Sequence, residues 1–233
     1  KVTHWTNIPT MVIDLLGSPN MAQFDLSSLQ NIGGGGAAMP EAVAQRLLDQ
    51  FGLRYIEGYG LTETAAPSHT NPPDAPKKQC LGIPFMSVDS RVVDPETLKE
   101  LPQGESGEIV IHGPEVFDGY WKNPEKTAEA FHGTWCSVGD MAMRDKDGYI
   151  HLVDRKSNMI ISGGENVYPS EVEGVLGSHP KVKDVAVLGV PHEKWGEAVH
   201  AVVVLHDQAE VCAQELIDWC KNQIAGYKRP QSI

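Results

Sequence analysis

Apolar positions along the chain fall into three successive textures. Over residues 8–16 they recur at helical spacing, and Gly17-Ser18-Pro19-Asn20 stops the run. Pro40 then opens a second helix with Val43, Leu47, Leu48 and Phe51 on one face, and 53–56 reads as a short buried strand. Helix alternating with strand is α/β wiring. A proline-rich loop, Asn71-Pro72-Pro73-Asp74-Ala75-Pro76-Lys77-Lys78, closes this part. Beyond it the pattern shortens to strands. Runs at 90–93 and 108–112 flank a proline-containing excursion, and 141–144 and 149–153 flank Asp145-Lys146-Asp147-Gly148, a strong hairpin signal. These strands predict a small antiparallel β-barrel. After Arg155 come a helix from Ser170, strands over 182–188 and 199–205, and a helix over 213–224 whose apolar face is Leu216, Ile217, Cys220 and Ile224. That is a compact α+β C-terminal domain. The polar Lys156-Ser157-Asn158 joins the textures without adding apolar residues to either, so the division falls at 154/155, with the first part split into α/β (1–87) and barrel (88–154).

Composition narrows the class. At 233 residues two units are the expected organisation. A formal charge of −12 opposes binding to phosphate backbones and anionic membranes, so a nucleic-acid partner is excluded. The four cysteines form no CxxC pair and are too sparse for a disulfide scaffold, which fits a reducing cytosol; Cys212 and Cys220 share one amphipathic helix and read as core. No apolar stretch approaches the ~20 residues of a transmembrane segment, and Lys1-Val2-Thr3-His4-Trp5 lacks a signal-peptide pattern. The expectation is a soluble, cytoplasmic protein. The histidines show no HExxH or paired metal spacing, and there is no GxSxG elbow, so metalloprotease and serine-hydrolase readings lack support.

The most informative stretch is Ile161-Ser162-Gly163-Gly164-Glu165-Asn166-Val167-Tyr168-Pro169-Ser170-Glu171-Val172-Glu173. It joins a strand end to a paired-glycine turn and then a helix start, with Ser170 and Glu173 spaced as a capping box. Paired glycines allow positive φ and close approach of backbone to a ligand; alone, they fit an ordinary connection equally well. Their company is Gly58-Tyr59-Gly60-Leu61-Thr62-Glu63-Thr64, the stretch 113–118 leading to Gly119-Tyr120-Trp121, Ser137-Val138-Gly139-Asp140, and Asp154-Arg155-Lys156, in that order. Taken together, the chain resembles the AMP-forming acyl-CoA synthetases, the adenylating superfamily that also holds firefly luciferase and peptide-synthetase adenylation domains. The resemblance covers essentially the whole chain.

A carboxylate is a poor acyl donor, and forming a mixed anhydride with AMP cures this; the site must then neutralise phosphate and immobilise the nucleoside. The resemblance implies that Tyr59 lies against adenine, that Thr62 donates to the α-phosphate and that Glu63 holds magnesium, Thr62 and Glu63 being the catalytic pair. Read alone, Thr62 is better explained as a helix cap, and the other motifs reverse that preference. Asp140 would accept from both ribose hydroxyls and Arg155 would add a permanently charged donor set. Gly36, Ala37, Glu57, Gly58 and Gly60 complete the implied nucleotide site, and Gly33, Gly34 and Gly35 wall the acyl pocket. Gly163, Gly164, Glu165 and Trp195 would line the CoA channel, although Trp195 alone reads as core, and Ser157 stands at the hinge, where most relatives carry Asp or Lys.

The implied activity is ATP-dependent acid:CoA ligation, with ATP, Mg²⁺, CoA and a small carboxylic acid as the participating molecules. A medium- or long-chain fatty acid is favoured by the small-residue wall. The alternatives are an aromatic acid such as a cinnamate or benzoate, a carrier-protein-loading adenylation domain, and a non-catalytic nucleotide-binding protein. Homo-oligomerisation is left open. A nicotinamide enzyme is the decoy, because Gly33, Gly35 and Ala38 fit G-x-G-x-x-A and Glu57 falls near a ribose-binding position. Against it, 27–32 is too polar for a central parallel strand, and Pro40 starts the helix after the glycines.

The resemblance also places a phosphate loop before Lys1 and a reactive-site lysine after Gly226-Tyr227-Lys228-Arg229-Pro230, Lys228 not being that lysine. A fragment incomplete at both ends is therefore expected, unable to form acyl-adenylate at a useful rate. Pyrophosphate exchange with ATP and a panel of fatty acids checks this; robust turnover by the chain alone would refute it.

Overall fold

Main-chain structure is described for residues 1–65 and 67–233 in this computed structural model, and side chains for these except Ala22 and Val138, so the second position of the Ser137-Val138-Gly139-Asp140 motif lies outside the described side chains. The chain divides into two compact units, Lys1–Leu152 and Val153–Ile233.

Pro9 occupies the first turn of α1 (Pro9–Gly17), where a missing N–H costs nothing, and Val12 and Leu16 turn inward. Strands β1 (His4–Asn7), β2 (Asn31–Gly34) and β3 (Tyr55–Gly60) pair in parallel, and β4 (Pro67–Thr70) and β5 (Ile83–Pro84) continue the same sheet antiparallel. Helix α2 (Glu41–Phe51) follows Pro40 and ends at Gly52, whose left-handed backbone (φ 66°) returns its N–H to Leu47 and Leu48. Its Leu47 packs with Val12, Leu16, Ile32, Met39, Leu53 and Tyr55, with Val43 and Phe51 at the margin.

The polarity of 27–32 was expected to exclude a central parallel strand. Instead β2 starts at Asn31 and lies between β1 and β3. Its burial is a property of backbone: a Cβ on Gly33 would lie 2.4 Å from the Ile56 carbonyl oxygen, and one on Gly34 1.7 Å from that of Asn7. The decoy still fails, because α2 begins seven residues after β2 and the glycines sit in the strand, not at the helix start.

Strands β6 (Asp89–Val93), β7 (Ser106–His112), β9 (Trp135–Arg144) and β10 (Ile150–Arg155) form a second sheet in the order β10-β9-β7-β6, with short β8 (Phe131–His132) on β9. Val92, Ile109, Ile111, Ala142 and Ile150 make its core. The expected barrel is corrected here: among the described residues the sheet has two edges, β10 and β6, and does not close, since four strands are too few to enclose a filled interior. The hairpin signal held. Asp145 Oδ1 accepts the Asp147 and Tyr149 N–H groups, and Gly148 supplies φ +86°. Helix α3 (Pro124–Ala130), capped by the Asn123 side chain, precedes β8. The proline-rich loop is clamped: Lys77 Nζ lies 2.5 Å from Asp145 and 2.8 Å from Asp147, above the Tyr149 ring, while the Tyr149 hydroxyl bonds the Ala75 carbonyl.

In the second unit β11 (Ile160–Ser162), β12 (Glu165–Val167), β13 (Val182–His192) and β14 (Gly196–Leu205) pair antiparallel in the order β12-β11-β14-β13. Helices α4 (Pro169–Gly177) and α5 (Ala213–Trp219) contribute Val172, Leu176 and Leu216 to its core. Three expectations change. The glycine pair joins two strands, because β12 intervenes before the helix. The capping box does not form: Pro169 already occupies the first turn, the Ser170 N–H goes to Asp154 Oδ2 at 2.9 Å, and Glu173 Oε1 accepts from Val187 N at 2.8 Å. Cys212 is exposed as the residue before α5, which ends at Trp219, and only Cys220 of the pair joins the core. Among the described residues no helix is long and apolar enough to cross a membrane.

Candidate nucleotide site

The C-terminal end of β3 runs through Glu57, Gly58, Tyr59 and Gly60 into a single 3₁₀ turn, Thr62–Thr64. Thr64 closes that turn: its hydroxyl oxygen accepts from Leu61 N at 3.0 Å and the hydroxyl lies 3.1 Å from the Leu61 carbonyl. The cap role considered for Thr62 thus falls to Thr64. Thr62 is left exposed and Glu63 half-buried at the head of the turn.

Two side-chain contacts converge on this region from distant sequence. The Tyr59 hydroxyl donates to Asp140 Oδ2 at 2.5 Å, Asp140 being 3 % exposed on β9 directly after Gly139, whose φ is +73°. The Tyr120 hydroxyl donates to Glu63 Oε1 at 2.8 Å, and Phe117 N–H to the Glu63 carbonyl at 2.8 Å. That carboxylate, and burial second, push the Tyr120 phenol up to about 12. Under Tyr59 lies the ring of His69, edge-on at 5.8 Å, itself fully buried and bonded through Nδ1 to Ser68 and through Nε2 to Ser90. Burial, with Arg144 second, lowers the His69 pKa to about 4.

Glu57 is 8 % exposed, and the Gln79 N–H bonds its carboxylate at 3.3 Å. Burial raises its pKa above the usual carboxylate range against the opposing N–H groups of Gln79, Met39 and Cys80, bonds that tie the 79–80 segment and Met39 to β3. Gly33, Gly34 and Gly35 each occupy a place where a Cβ would meet neighbouring backbone, and Gly36 (φ +87°) and Ala37 follow as exposed residues.

Among the described residues no group of three or more His, Cys, Asp or Glu could hold a metal. One carboxylate, Glu63, does suit magnesium delivered by a polyphosphate, because Mg²⁺ keeps several waters and needs only one or two protein carboxylates. The donor set fits an ion that arrives with nucleotide.

Arg155, Ser157, Gly163, Gly164, Glu165 and Trp195 belong to the second unit. Arg155 ends β10, with its N–H on Asp154 Oδ1 at 2.6 Å, and Ser157 lies in a 3₁₀ turn (Lys156–Asn158). Gly163 and Gly164 take φ of 63° and 88°, the two positive values that a two-residue hairpin turn requires, and Glu165 opens β12 beside them. The Gly163 N–H bonds the Trp195 carbonyl at 2.9 Å, and the Trp195 ring stacks on His192 with centroids 4.3 Å apart. Trp195 is thus half-buried beside the turn, not in the core. Lys228 pairs with Glu171 at 2.6 Å. Tyr120 stood in a recognised motif but carried no role in the sequence, and His69 was not among the candidate residues. An aromatic after Gly119 was the available signal for the first; nothing in the polar run around 68–71 marked the second.

This chain belongs to the AMP-binding enzymes: the family profile matches residues 1–121, and that of the AMP-binding enzyme C-terminal domain matches 171–233. It is 44 % identical to a feruloyl-CoA synthase from Amycolatopsis sp, covering 100 % of this chain and 48 % of the relative. It is 37 % identical to a long-chain-fatty-acid–CoA ligase from Bacillus subtilis, covering 100 % and 42 %. The structure of ATP-bound MatB from Rhodopseudomonas palustris superposes with a TM-score of 0.91 at 34 % identity, over 100 % of this chain and 47 % of that one. The chain thus spans about half the length, or less, of the relatives it matches.

Proposed function

We propose that this chain supplies part of the nucleotide site and most of the lid of an ATP-dependent acid:CoA ligase. The supporting observation is the Tyr59–Asp140 contact at 2.5 Å, which brings together two motif residues 81 positions apart at one strand end, next to the Thr62-Glu63 turn. In the first step a carboxylate oxygen attacks the α-phosphorus of ATP and pyrophosphate leaves; in the second the CoA thiol attacks the acyl carbonyl and AMP leaves. Thr62 donates its hydroxyl to an α-phosphate oxygen, and Glu63 offers the carboxylate for magnesium. Asp140 accepts from the ribose hydroxyls; since the Tyr59 phenol already occupies Oδ2, the nucleotide shares that carboxylate or displaces the phenol. Residues 1–154 act as the C-terminal portion of the large AMP-binding domain. Residues 155–233 act as the lid, with Arg155 as a nucleotide donor, Ser157 as hinge, and Gly163, Gly164, Glu165 and Trp195 as the pantetheine channel.

The acid is read as aromatic, of the feruloyl type, in place of the fatty chain suggested by the glycine wall. The support is the margin of the feruloyl-CoA synthase match, 44 % against 37–39 % for long-chain ligases. Release of AMP by the full-length protein, assayed with CoA across cinnamates and aliphatic acids, tests this reading; a preference for aliphatic acids reverses it. For the nucleotide role, Asp140→Asn is expected to weaken ATP binding by about tenfold or more, because hydrogen bonds to a charged group are worth about 1.5–3 kcal/mol. Calorimetric titration showing equal affinity would remove Asp140 from the site.

A further inference from the structure

The motif Gly119-Tyr120-Trp121 has no part in the chemistry above, yet its tyrosine touches the proposed magnesium carboxylate. Tyr120 OH lies 2.8 Å from Glu63 Oε1, and the same loop delivers the Phe117 N–H to the Glu63 carbonyl, so two bonds from one loop reach one residue 57 positions upstream. The loop is itself held. The Tyr120 ring stands edge-on to Phe117 at 4.9 Å, Phe117 stacks on Phe131 at 5.5 Å, and the Tyr120 N–H donates to Thr127 Oγ1 at 2.9 Å. Gly119 takes φ +144° with Thr127 Cγ2 2.6 Å from where a Cβ would stand, so the turn before Tyr120 accepts no side chain. A rigid phenol is thereby aimed at a flexible carboxylate.

We propose that Tyr120 is a positioning residue, whose hydroxyl holds the Glu63 carboxylate in one orientation before the magnesium nucleotide arrives. It touches neither substrate nor metal. A glutamate side chain free to sample its rotamers loses that freedom on binding, and fixing it in advance removes the loss. The proposal rests on the nucleotide reading of Glu63.

Tyr120→Phe deletes only the hydroxyl and keeps the ring on Phe117. Titration of ATP into the 233-residue chain, with Mg²⁺ and again with EDTA, is expected to show about fivefold weaker binding for Y120F with Mg²⁺ and no change with EDTA. Its melting temperature should stay within a few degrees of the unsubstituted chain. In a Glu63→Gln background the same substitution should add nothing, because Tyr120 acts through that carboxylate. Equal losses with Mg²⁺ and EDTA, or an undiminished loss in E63Q, overturn the proposal alone, as does a neutral Y120F beside a weakened E63Q. Should the unsubstituted chain bind no magnesium nucleotide, or E63Q leave that binding unaltered, the nucleotide reading and the proposal fall together.

Discussion

Alanine at position 34 should destabilise the first unit by about 3 kcal/mol or more, whereas alanine at position 17 should leave stability the same or higher, within roughly half a kilocalorie. Both residues are glycines with ordinary φ, so the left-handed region is not at issue. At Gly17, the last residue of α1, nothing lies within 4 Å of an added Cβ, and helix propensity alone favours alanine. At Gly34 the added atom would sit 1.7 Å from the Asn7 carbonyl oxygen and 2.8 Å from its carbon. Those atoms are backbone of the directly paired strand, where Asn7 stands opposite Gly34, and they cannot rotate away. Relief requires β1 to move, which breaks the Tyr55 hydroxyl's contacts with Asn7 O at 3.4 Å and Oδ1 at 3.3 Å in a buried place. It also shifts 33–37, the segment that the proposed function puts beside acid and nucleotide. Because two units unfold in one chain, a single global midpoint would blur the effect. Amide exchange at Trp5 and Ile32, in the β1–β2 pair, isolates it; protection equal to that of the unsubstituted chain would show that the strand accommodates the methyl group.

The same glycines explain where the fold was readable and where it was not. Helix α2 announced itself through Val43, Leu47 and Phe51 at helical spacing, and the β9–β10 hairpin through Asp145 to Gly148, because in both cases side chains carry the signal. Strand β2 is central for a reason no hydropathy pattern records: Asn7 O and Ile56 O fill the space where its side chains would be. The helix after Pro169 was anticipated, but its cap was misassigned, since a four-residue pattern is blind to Asp154, sixteen positions upstream, which takes the Ser170 N–H. Cys212 shows a related error. Spaced eight residues from Cys220 it falls on the same helical face, yet the helix begins one residue later and leaves it outside. In the site, Tyr59 and Asp140 were each singled out from motifs, whereas their direct bond, and the Tyr120 bond to Glu63, depend on how β3, β9 and the 117–120 loop meet. Local patterns name chemistry-bearing residues; only the tertiary arrangement says which of them already occupy one another.

Between about pH 6.5 and pH 4 the first unit should lose roughly 3 kcal/mol of stability through His69 alone. The imidazole is 0 % exposed, linked to Ser68 on its own strand and to Ser90 on β6, with the Tyr59 ring against it and Arg144 raising the cost of a second cation. Burial, then Arg144, places its folded pKa at about 4, below the ordinary value of about 6.5. In that interval the unfolded chain binds a proton that the folded chain refuses, so stability rises with pH. The contribution is complete above about 6.5 and lost as pH falls through the folded value near 4, at about 1.4 kcal/mol per pH unit. Asp145 works in a lower window. Burial pushes its carboxyl up, but bonds from Lys77, His151 and the Tyr149 and Asp147 N–H groups outweigh this and hold it well below the usual carboxylate range. Its contribution is present above an unfolded pKa of about 3.9 and is lost only on further acidification. His69→Gln keeps a neutral hydrogen-bonding side chain and cannot titrate. Denaturant midpoints for β4 and β6, followed by amide exchange at pH 7, 5.5 and 4.5, should fall steeply in the unsubstituted chain and far less in H69Q; parallel slopes would assign the acid sensitivity elsewhere. Because His69 joins β4 to β6 directly beneath Tyr59, which in turn bonds Asp140, its protonation would loosen the support of the carboxylate proposed to hold the nucleotide before the sheets themselves separate. ATP affinity is therefore expected to decline within the same pH interval, and to do so less in H69Q.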